Sequence, residues 1–288
     1  MDLKSVVYCT DEGTPYLKEA GVSLISRPVV NIEGMKDFLE GYGERCGFAN
    51  YLADNWGDTR FTEGSKLVKV AGQLCYASFG KNRTYNSNID KYIDHIKQSG
   101  HGSLLEHCNY TLLLYGISRS LTHELVRHRA GFGFSQLSQR FVSGNLLRFV
   151  ERPEFQENEN LHNKFCRYID TVRDSYEKLS EELVNNQKSG AEILSGEGRT
   201  ELKKKLNQCS RMLLPNCTEA PIIVTGNARA WRHMLEARGS QAAEIEIRNL
   251  SVKILRVLWS VENELFSDYT IAKLPDGTEG ITTPYYKI

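Results

Sequence analysis

Apolar side chains recur along this chain with spacings that predict both helices and strands. Between residues 161 and 183 they lie mostly three or four positions apart, which predicts a long amphipathic helix. Related patterns predict further helices over residues 34–43, 64–81, 89–100, 118–129, 200–214, 227–237 and 241–266. Apolar runs rich in β-branched and aromatic residues predict strands over residues 22–32, 108–118 and 220–226. The chain therefore combines both kinds of secondary structure.

Polar residues, glycine and proline mark the predicted ends of these elements. Ser118 is a candidate N-cap for the helix that follows the strand at 108–118. Gly131 and Gly133 predict that this helix runs into an irregular loop. Pro215 ends the helix predicted over 200–214. Three stretches are predicted to be loop or extended chain: residues 82–88, 185–200 and 274–288.

Composition limits the classes of protein to consider. The chain has 288 residues, and its 36 lysines and arginines are balanced by 36 aspartates and glutamates. Because a nucleic-acid-binding domain usually has a basic excess, this neutral balance argues against binding to RNA or DNA. The length suggests one large domain or two small ones, and 40% hydrophobic residues suffice for a sizeable core.

The sequence also predicts a cytoplasmic protein without a membrane anchor. No stretch approaches the ~20 consecutive apolar residues of a membrane-spanning helix. The first residues lack the basic and apolar pattern of a secretory signal. The seven cysteines are odd in number and show no CxxC spacing, which is typical of reduced thiols in a cytosolic protein.

One short stretch concentrates positive charge. Residues 121–142 contain Arg127, His128, Arg129 and Arg140 but only one acid, Glu124. Neighbours on a helix are ~100° apart, so the three consecutive basic residues face different directions. The stretch could form a solvated patch, a nucleic-acid surface or a pocket for a phosphate. Taken alone, the solvated patch is the commonest of these.

Three other stretches favour a ligand pocket. A polar group of His101, Ser103, Glu106 and His107 precedes the strand at 108–118, Arg211 lies in the apolar stretch RMLLP, and one short segment carries Asn227, Arg229, His233 and Arg238. A metal site built from His101, His107, His123 and His128 lacks a recognisable ligand spacing, so no metal is predicted. Glu244 and Arg248, four residues apart, are interpreted as a surface ion pair.

These stretches together resemble a known family. HGSLLEH, SRSLTHELVRHRAGFGFSQLSQRFV, RMLLP and GNARAWRHMLEARGS followed by AAEIEIR are similar, in order, to the successive blocks of flavin-dependent thymidylate synthases. The succession RHR then SQLSQR is the most specific part. The resemblance covers roughly residues 64–269, so residues 64–288 are predicted to form the catalytic domain. Residues 1–63 are predicted to be an N-terminal extension of unassigned role.

The resemblance implies a fold, a reaction and an assembly. The fold is α+β with a mixed α/β core, in which a central sheet is flanked by long helices. The reaction converts deoxyuridylate (dUMP) to thymidylate (dTMP), with methylenetetrahydrofolate as carbon donor, reduced FAD as hydride source and NADPH as the reductant. It requires no nucleophile from the enzyme. The assembly is a homotetramer whose active sites are shared between subunits.

The resemblance also implies roles for individual residues. Arg238 is the candidate catalytic residue, because a guanidinium against the uracil ring favours the ionised ring. The positions that match dUMP contacts are Arg119, Glu124, Arg127, Gln136, Leu137, Ser138, Gln139, Arg140, Arg211 and Arg238. The positions that match FAD contacts are His101, Ser103, Glu106, Arg127, His128, Arg129, Gln136, Asn227, Arg229 and His233.

Three features depart from the usual family pattern. The loop between Arg129 and Ser138 is one residue longer than in many members, and Ala242 replaces a frequent flavin-contacting histidine. Glu124 replaces a frequent glutamine, and its charge is expected to weaken nucleotide binding unless Arg127 or Arg119 neutralises it. Two alternatives stay open: a related enzyme that forms a 5-hydroxymethyl pyrimidine nucleotide, and a catalytically silent relative that binds flavin or nucleotide.

Overall fold

The computed structural model describes residues 2–53, 56, 61–81, 89–141, 146–188, 196–286 and 288. Within these ranges the α-helices are α1 (Lys36–Glu40), α2 (Glu63–Cys75), α3 (Ile89–Gln98), α4 (Arg119–Leu125), α5 (Pro153–Gln156), α6 (Glu159–Lys188), α7 (Gly196–Ser210), α8 (Ala228–Arg238), α9 (Ile245–Val261) and α10 (Asn263–Phe266). The strands are β1 (Val7–Cys9), β2 (Pro15–Leu17), β3 (Gly21–Ser26), β4 (Asn109–Tyr115), β5 (Phe132–Gln136), β6 (Phe149–Val150), β7 (Ile222–Asn227), β8 (Thr270–Lys273) and β9 (Glu279–Thr282). The predicted α+β class is confirmed.

A four-stranded antiparallel sheet forms the centre of the fold. Its strand order is β3-β4-β7-β5, so β7 pairs with β4 on one side and with β5 on the other. Leu112 of β4 and Phe134 of β5 both lie opposite Val224 of β7. Burial alternates along β4 and β7, which is typical of a sheet with one face packed on a core. On the other face, Ile223 is exposed.

Helices α8 and α9 cover the packed face. Trp231 of α8 is fully buried, and its ring meets that of Phe132 edge-on at 4.9 Å between centroids. In α9, Ile247, Leu250 and Leu258 are buried in the same core. The helix predicted over residues 241–266 is interrupted at Glu262, where the backbone leaves the helical conformation (φ −152°, ψ 61°) and the carboxylate accepts hydrogen bonds from Ser65 and Tyr110.

The first 63 residues are integrated into both of the larger sheets. Strand β3 pairs with β4 in the central sheet, whereas β1 and β2 join β6 in a three-stranded sheet. This second sheet packs on α6, where Tyr16, Phe149, Phe165 and Ile169 form a separate small core. The predicted strand over residues 22–32 is confirmed only as far as Ser26.

Helix α6 is the longest helix of the fold and confirms the prediction made from its apolar spacing. Its 30 residues extend beyond the predicted range at both ends. Part of the loop predicted over residues 185–200 is therefore wrong, because α6 continues to Lys188 and α7 begins at Gly196. The rest of that loop, and the loop predicted over 82–88, lie outside the described residues. In the described ranges, no helix is long and apolar enough to cross a membrane.

The irregular loop predicted after Arg129 is also wrong. Gly131 has φ +75° and forms a tight turn, after which residues 132–136 form strand β5. Gly133 does not break this strand, because its missing side chain faces open space. Phe132 and Phe134 alternate with it and stack on each other, which gives β5 an apolar face toward the core. Helix α4 ends at Leu125, before the basic residues.

The prediction that Ser118 caps α4 is confirmed and has a measurable consequence. The buried hydroxyl accepts a hydrogen bond from the Leu121 amide and donates one to the buried Glu246 carboxylate. Ser118→Ala removes a cap worth about 1 kcal/mol and leaves a buried acceptor unpaired at about 1–3 kcal/mol. We expect urea unfolding to show a loss of about 2–4 kcal/mol, by the sum of these contributions. Ser240→Ala is the control, since its hydroxyl only donates to a local carbonyl; an equal loss there would contradict this account.

Candidate functional site

Arg238 is the last residue of α8 and lies at the centre of a compact polar group. Its Nη1 donates to Oε2 of Glu124 at 2.8 Å, and its Nε donates to Nε2 of His128 at 3.1 Å. The ring of His233 on the same helix lies 5.7 Å from that of His128. We call these four residues the Arg238 cluster. Two acceptors from the α4 region thus fix the guanidinium.

The protonation state of His128 determines how it interacts with Arg238. Burial, followed by the positive charge of Arg238 and the nearby His233, lowers the pKa of His128 to about 4. The imidazole is therefore neutral at pH 7 and accepts the Arg238 hydrogen bond. Within the described part of the chain, Nη2 of Arg238 has no hydrogen-bond partner. The guanidinium is oriented by its neighbours and still has donors for a ligand.

Glu124 has a different partner from the ones considered from the sequence. Neither Arg119 nor Arg127, the two candidates for neutralising its charge, forms a salt bridge with it among the described residues. Arg238 pairs with it instead, although the two residues are 114 positions apart. Charge compensation at Glu124 is thus coupled to the candidate catalytic residue.

A cavity of about 450 Å³ opens at the other end of α8. Four predicted flavin-contacting residues line it: Glu106, Asn227, Arg229 and His233. Its volume falls within the ~300–1,000 Å³ of small-molecule pockets. The Asn227 side chain caps α8 by accepting from the Ala230 amide at 2.8 Å. The amino-terminal end of α8, which favours negative charge, therefore faces this cavity.

The walls of this cavity depend on two local arrangements. Glu106 and Arg229 form a salt bridge of 2.6 Å between partly exposed side chains at its rim. Gly131 allows close packing behind it, since an added Cβ would lie 2.7 Å from Nδ2 of Asn227. Ile288 also lines the cavity. No signal in the sequence indicated a role for Ile288, because it depends on tertiary packing.

Several predicted flavin-contacting residues do not line the cavity. Ser103 is exposed on the 3-10 helix Gly102–His107, which packs against α8, and His101 is exposed just before this helix. Arg127 and Arg129 are exposed and form no salt bridge within the described ranges. Ala242, at the position of a frequent histidine, is exposed in the turn after α8. The structure of one chain therefore brings only part of this set together.

Another part of the predicted nucleotide-contacting set lies on segments that meet where α4 begins and α7 ends: Arg119, Gln136, Leu137, Ser138, Gln139, Arg140 and Arg211. The Arg119 amide donates to the Thr218 carbonyl at 2.9 Å, which joins the start of α4 to the segment after Arg211. Asn207 of α7 donates from Nδ2 to the Arg140 carbonyl at 3.1 Å. We call Arg119, Arg140 and Arg211 the arginine cluster. Asn207 was not predicted, because nothing in its local sequence indicates this contact.

Two further contacts hold the end of β5 beside the arginine cluster. Gln136 donates from Nε2 to Oγ1 of Thr122 at 3.1 Å, and the Leu137 amide donates to the Pro221 carbonyl at 2.9 Å. Ser138 accepts a hydrogen bond from the Arg140 amide within this turn. The predicted residues from Gln136 to Arg140 are thus held by α4, α7 and the segment before β7.

The arginine cluster has the properties of an incomplete anion site. None of its three arginines forms a salt bridge with an acid in the part of the chain that the structure describes. The Nε2 of Gln139 is buried without an acceptor among the described residues, which is costly for a donor. Arg211 is half-buried rather than enclosed in an apolar helix end, which corrects the view taken from RMLLP. Nearby apolar side chains are exposed: Leu137, Phe141, Met212 and Leu213.

In one chain, the arginine cluster and the cavity lie toward opposite ends of β5. Phe132 at the start of the strand contacts Trp231 and the His128 ring, whereas Gln136 at its end contacts α4. Four steps along a strand span roughly 13 Å at ~3.3 Å per residue. The two groups are thus separated along the length of β5.

Two remaining expectations concern charged residues outside these sites. The surface ion pair of Glu244 and Arg248 is wrong: Glu244 caps α9, while Arg248 is buried and donates to the carbonyl of Gln241 and the carboxylate of Asp276. Among the described residues, no group of three or more His, Cys, Asp or Glu side chains has an arrangement that could hold a metal ion.

Comparison with known proteins identifies the family. The sequence model of the family described as "Thymidylate synthase complementing protein" matches residues 59–262. A protein named flavin-dependent thymidylate synthase from Corynebacterium diphtheriae is 41% identical over 229 residues, which cover 79% of this chain and 88% of the relative. The chain belongs to this family. The resemblance inferred from its motifs is thereby confirmed.

Another family member matches over a similar length, and a solved structure has a similar fold. The family member with the same name from Mycobacterium sp. (strain JLS) is 42% identical over 225 residues, covering 77% of this chain and 86% of that protein. The fold is similar to the crystal structure of a UMP/dUMP methylase, PolB, from Streptomyces cacaoi bound with 5-Br dUMP. That likeness has a TM-score of 0.55 at 16% identity and covers 87% of this chain and 94% of the other.

The lowered pKa of His128 predicts a specific dependence on pH. The folded-state pKa of about 4 lies below the ordinary value of ~6.5, so the unfolded chain takes up this proton first as the pH falls. The stability contributed by neutral His128 is therefore complete above about pH 6.5 and is lost as the pH falls toward 4. We expect a histidine NMR resonance that titrates near pH 4.

Two variants check the assignment of that resonance. His128→Gln should abolish it and should lose less stability than the unsubstituted protein between pH 6.5 and pH 4. His123→Gln, at an exposed position, should leave it in place. A titration midpoint near the ordinary histidine value for His128 would show that its neutral contact with Arg238 is wrong.

Proposed function

We propose that this chain is a flavin-dependent thymidylate synthase that methylates dUMP to dTMP. The cofactor is FAD, methylenetetrahydrofolate is the carbon donor and NADPH is the reductant. The observation that carries the proposal is the guanidinium of Arg238, held by neutral His128, whose ring lies 5.7 Å from that of His233 in the cavity that Asn227 and Arg229 also line. The names of the relatives in its family support the same reaction.

The arginine cluster is the proposed phosphate-binding part of the site. Arginines that are not paired with acids attract an anion, and a guanidinium can contact two phosphate oxygens at once. Ser138 adds a hydroxyl in the same turn, and the unpaired Nε2 of Gln139 is a donor without an acceptor. These features support binding of a nucleotide monophosphate, with Gln136 and Leu137 closing the turn.

The residues around the cavity fit a flavin. The amino-terminal end of α8 and Arg229 provide positive charge for a dinucleotide phosphate, and Asn227 and His233 provide polar contacts. The proposed contacts also include the family-matched residues of the partly exposed surface: His101, Ser103, Glu106, Arg127, His128 and Arg129. When bound, the reduced flavin supplies the hydride for the reaction.

Arg238 is the proposed catalytic residue. Its Nη2 donors are available to the uracil ring, and a guanidinium there stabilises the ionised ring and raises the electron density at the carbon to be alkylated. His128 acts as a positioning residue, because its neutral ring accepts from Nε and fixes the guanidinium plane. Glu124 shares the charge of Arg238, so nucleotide binding must compete with or rearrange this salt bridge.

The proposed site residues all lie within residues 64–288. Residues 1–63 supply strands and packing, and we assign them a structural role. The seven cysteines are all free thiols, which supports a reducing compartment and hence the cytoplasm as the proposed location.

A product assay tests the proposed reaction. Purified protein should carry a flavin absorbance band and should convert dUMP to dTMP when methylenetetrahydrofolate and NADPH are supplied. Arg238→Ala should retain the flavin but lose at least about 100-fold in kcat/KM, the scale for removing a preorganised charge at the reacting group. Arg256→Ala is the matched control, because this arginine pairs with Glu279 on the surface.

Three outcomes of this assay would contradict the proposal. A 5-hydroxymethyl nucleotide as product would indicate the related modifying reaction. Normal turnover by Arg238→Ala would remove its assigned role. Flavin and nucleotide binding without turnover would indicate a silent relative.

The active sites are proposed to be shared between the subunits of a homotetramer. One chain holds the arginine cluster and the cavity at opposite ends of β5, so a neighbouring subunit can bring the missing half to each. The exposed apolar side chains beside the arginine cluster support an interface there, since such patches mark contact surfaces. Most soluble oligomers are symmetric homo-oligomers, which permits this exchange of halves.

Subunit complementation tests the shared site. Arg211→Ala and Arg238→Ala should each be inactive alone. The two variants are co-expressed with different tags and purified as mixed tetramers. These tetramers should have about a quarter of the activity of the unsubstituted protein, because on average one site in four then combines two intact halves. If each subunit contained a whole site, the mixed tetramers would stay inactive. Light scattering of the unsubstituted protein provides the control for tetramer mass.

A further inference from the structure

A second polar group lies away from the candidate active site, where β2, β6 and α6 meet. His162 and Cys166 are one turn apart on α6, with Nε2 of His162 3.6 Å from Sγ of Cys166. Nδ1 of His162 lies 2.7 Å from Oε1 of Glu151, which follows β6. A thiol, an imidazole and a carboxylate are thus connected in series. We call these three residues the α6 relay.

The carboxylate of this relay is deeply buried and incompletely paired. The Glu151 side chain is 0% exposed, and its Oε2 has no hydrogen-bond partner among the described residues. Nζ of Lys18 approaches this oxygen only to 3.9 Å. Glu151 also lines a cavity of about 240 Å³ that includes Lys18 and Gln156. A neighbouring cation stabilises a buried carboxylate that is incompletely paired. His162, which is in direct contact with Glu151, provides such a cation when it takes up a proton.

The hydrogen-bond pattern assigns the proton positions of His162. The carboxylate of Glu151 only accepts, so Nδ1 carries the hydrogen and Nε2 presents its lone pair to the thiol. This is the order of groups found where a histidine activates a nucleophile and an acid orients the histidine.

The surroundings of the thiol keep it protonated at rest. Burial, followed by the carboxylates of Glu151 and Asp170, raises the pKa of Cys166, while Lys18 opposes this and Asp11 adds to it. The hydroxyl of Tyr16 on β2 also contacts the thiol, and burial raises the pKa of Tyr16 to about 12, so this neighbour stays neutral. A thiol of this kind reacts slowly by itself, because only the thiolate is nucleophilic.

We propose that the α6 relay makes Cys166 a site of exchange with low-molecular-weight disulfides. As Sγ of Cys166 attacks one sulfur of the disulfide, its proton passes to Nε2 of His162, and Glu151 stabilises the imidazolium that forms. A bond forms between Cys166 and the attacked sulfur, the original disulfide bond breaks, and the other sulfur leaves as a thiolate that takes up a proton. The number of disulfide bonds is unchanged: the Cys166 sulfur is oxidised to the level of a mixed disulfide, and the departing sulfur is reduced to a thiol.

This reactivity does not depend on flavin or nucleotide binding. None of the three residues lines the cavity assigned to the flavin, and none belongs to the arginine cluster. The remaining cysteines provide internal comparisons, since Cys9 and Cys209 are exposed whereas Cys166 is only partly exposed. Exposure alone therefore predicts that Cys166 reacts more slowly than they do.

The test is the rate of mixed-disulfide formation with glutathione disulfide, followed by peptide mass spectrometry at all seven cysteines of the full-length holoprotein. At pH 7, Cys166 should react at least about tenfold faster than Cys9 and Cys209, within the range that general-base catalysis supplies. Because a neighbouring base takes the proton from the thiol itself, the rate at Cys166 should depend less steeply on pH than the rates at Cys9 and Cys209.

A substitution separates the relay from simple packing. His162→Gln should slow the reaction at Cys166 by about tenfold or more, through loss of the base, and should leave the rate at Cys9 unchanged. The flavin spectrum and the thermal midpoint report whether that variant is folded. The proposal is overturned if the rates follow exposure, if His162→Gln reacts at Cys166 as fast as the unsubstituted protein, or if the Cys166 rate rises with pH as steeply as the rates at Cys9 and Cys209. The pH profile decides the question without any variant.

Discussion

The pairing of β7 with both β4 and β5 is the constraint on which the candidate site depends. Strand β7 passes directly into α8 at Asn227, whose side chain caps the helix. The direction of the strand therefore sets the direction of α8, and with it the placement of Arg238 at the far end. The same pairing fixes β5, which carries the turn at Gly131 at one end and Gln136 at the other. Helix α8 then spans the distance from the cavity to the Arg238 cluster.

Arginines that support the fold have hydrogen-bond partners inside it, whereas the arginines of the arginine cluster, which are available to a ligand, have no such partners among the described residues. Arg232 and Arg248 are buried, and each donates to both a carbonyl and an aspartate. Arg119, Arg140 and Arg211 have no such partners in the described part of the chain. Charged side chains that are paired inside the fold contribute to its structure. Unpaired cations next to exposed apolar groups indicate a surface that binds a ligand or another subunit. The net charge of zero does not reveal this difference between the two groups of arginines.

The sequence predicted the elements better than the contacts between them. Helix α6 and the strands β4 and β7 follow from local apolar spacing, which the structure retains. Strand β5 was missed because glycine is normally a strand breaker, whereas at Gly133 the strand has open space on that side. The site residues were identified from the resemblance of the motifs to those of the family. Such a resemblance does not specify how the residues are arranged in space. The salt bridge of Glu124 joins residues more than a hundred positions apart, and no local pattern carries that information.

The first 63 residues change the chemical surroundings of α6 as well as its packing. The family model begins at residue 59, so Tyr16 and Lys18 lie outside the matched region, whereas His162 and Cys166 lie within it. Strand β2 covers this part of α6, and its residues exclude water from the buried carboxylate of Glu151. Without that cover, the carboxylate would be solvated and would stabilise an imidazolium less strongly, since screening weakens a surface charge pair. The strands that complete the small core therefore also determine whether the neighbouring histidine can act as a base.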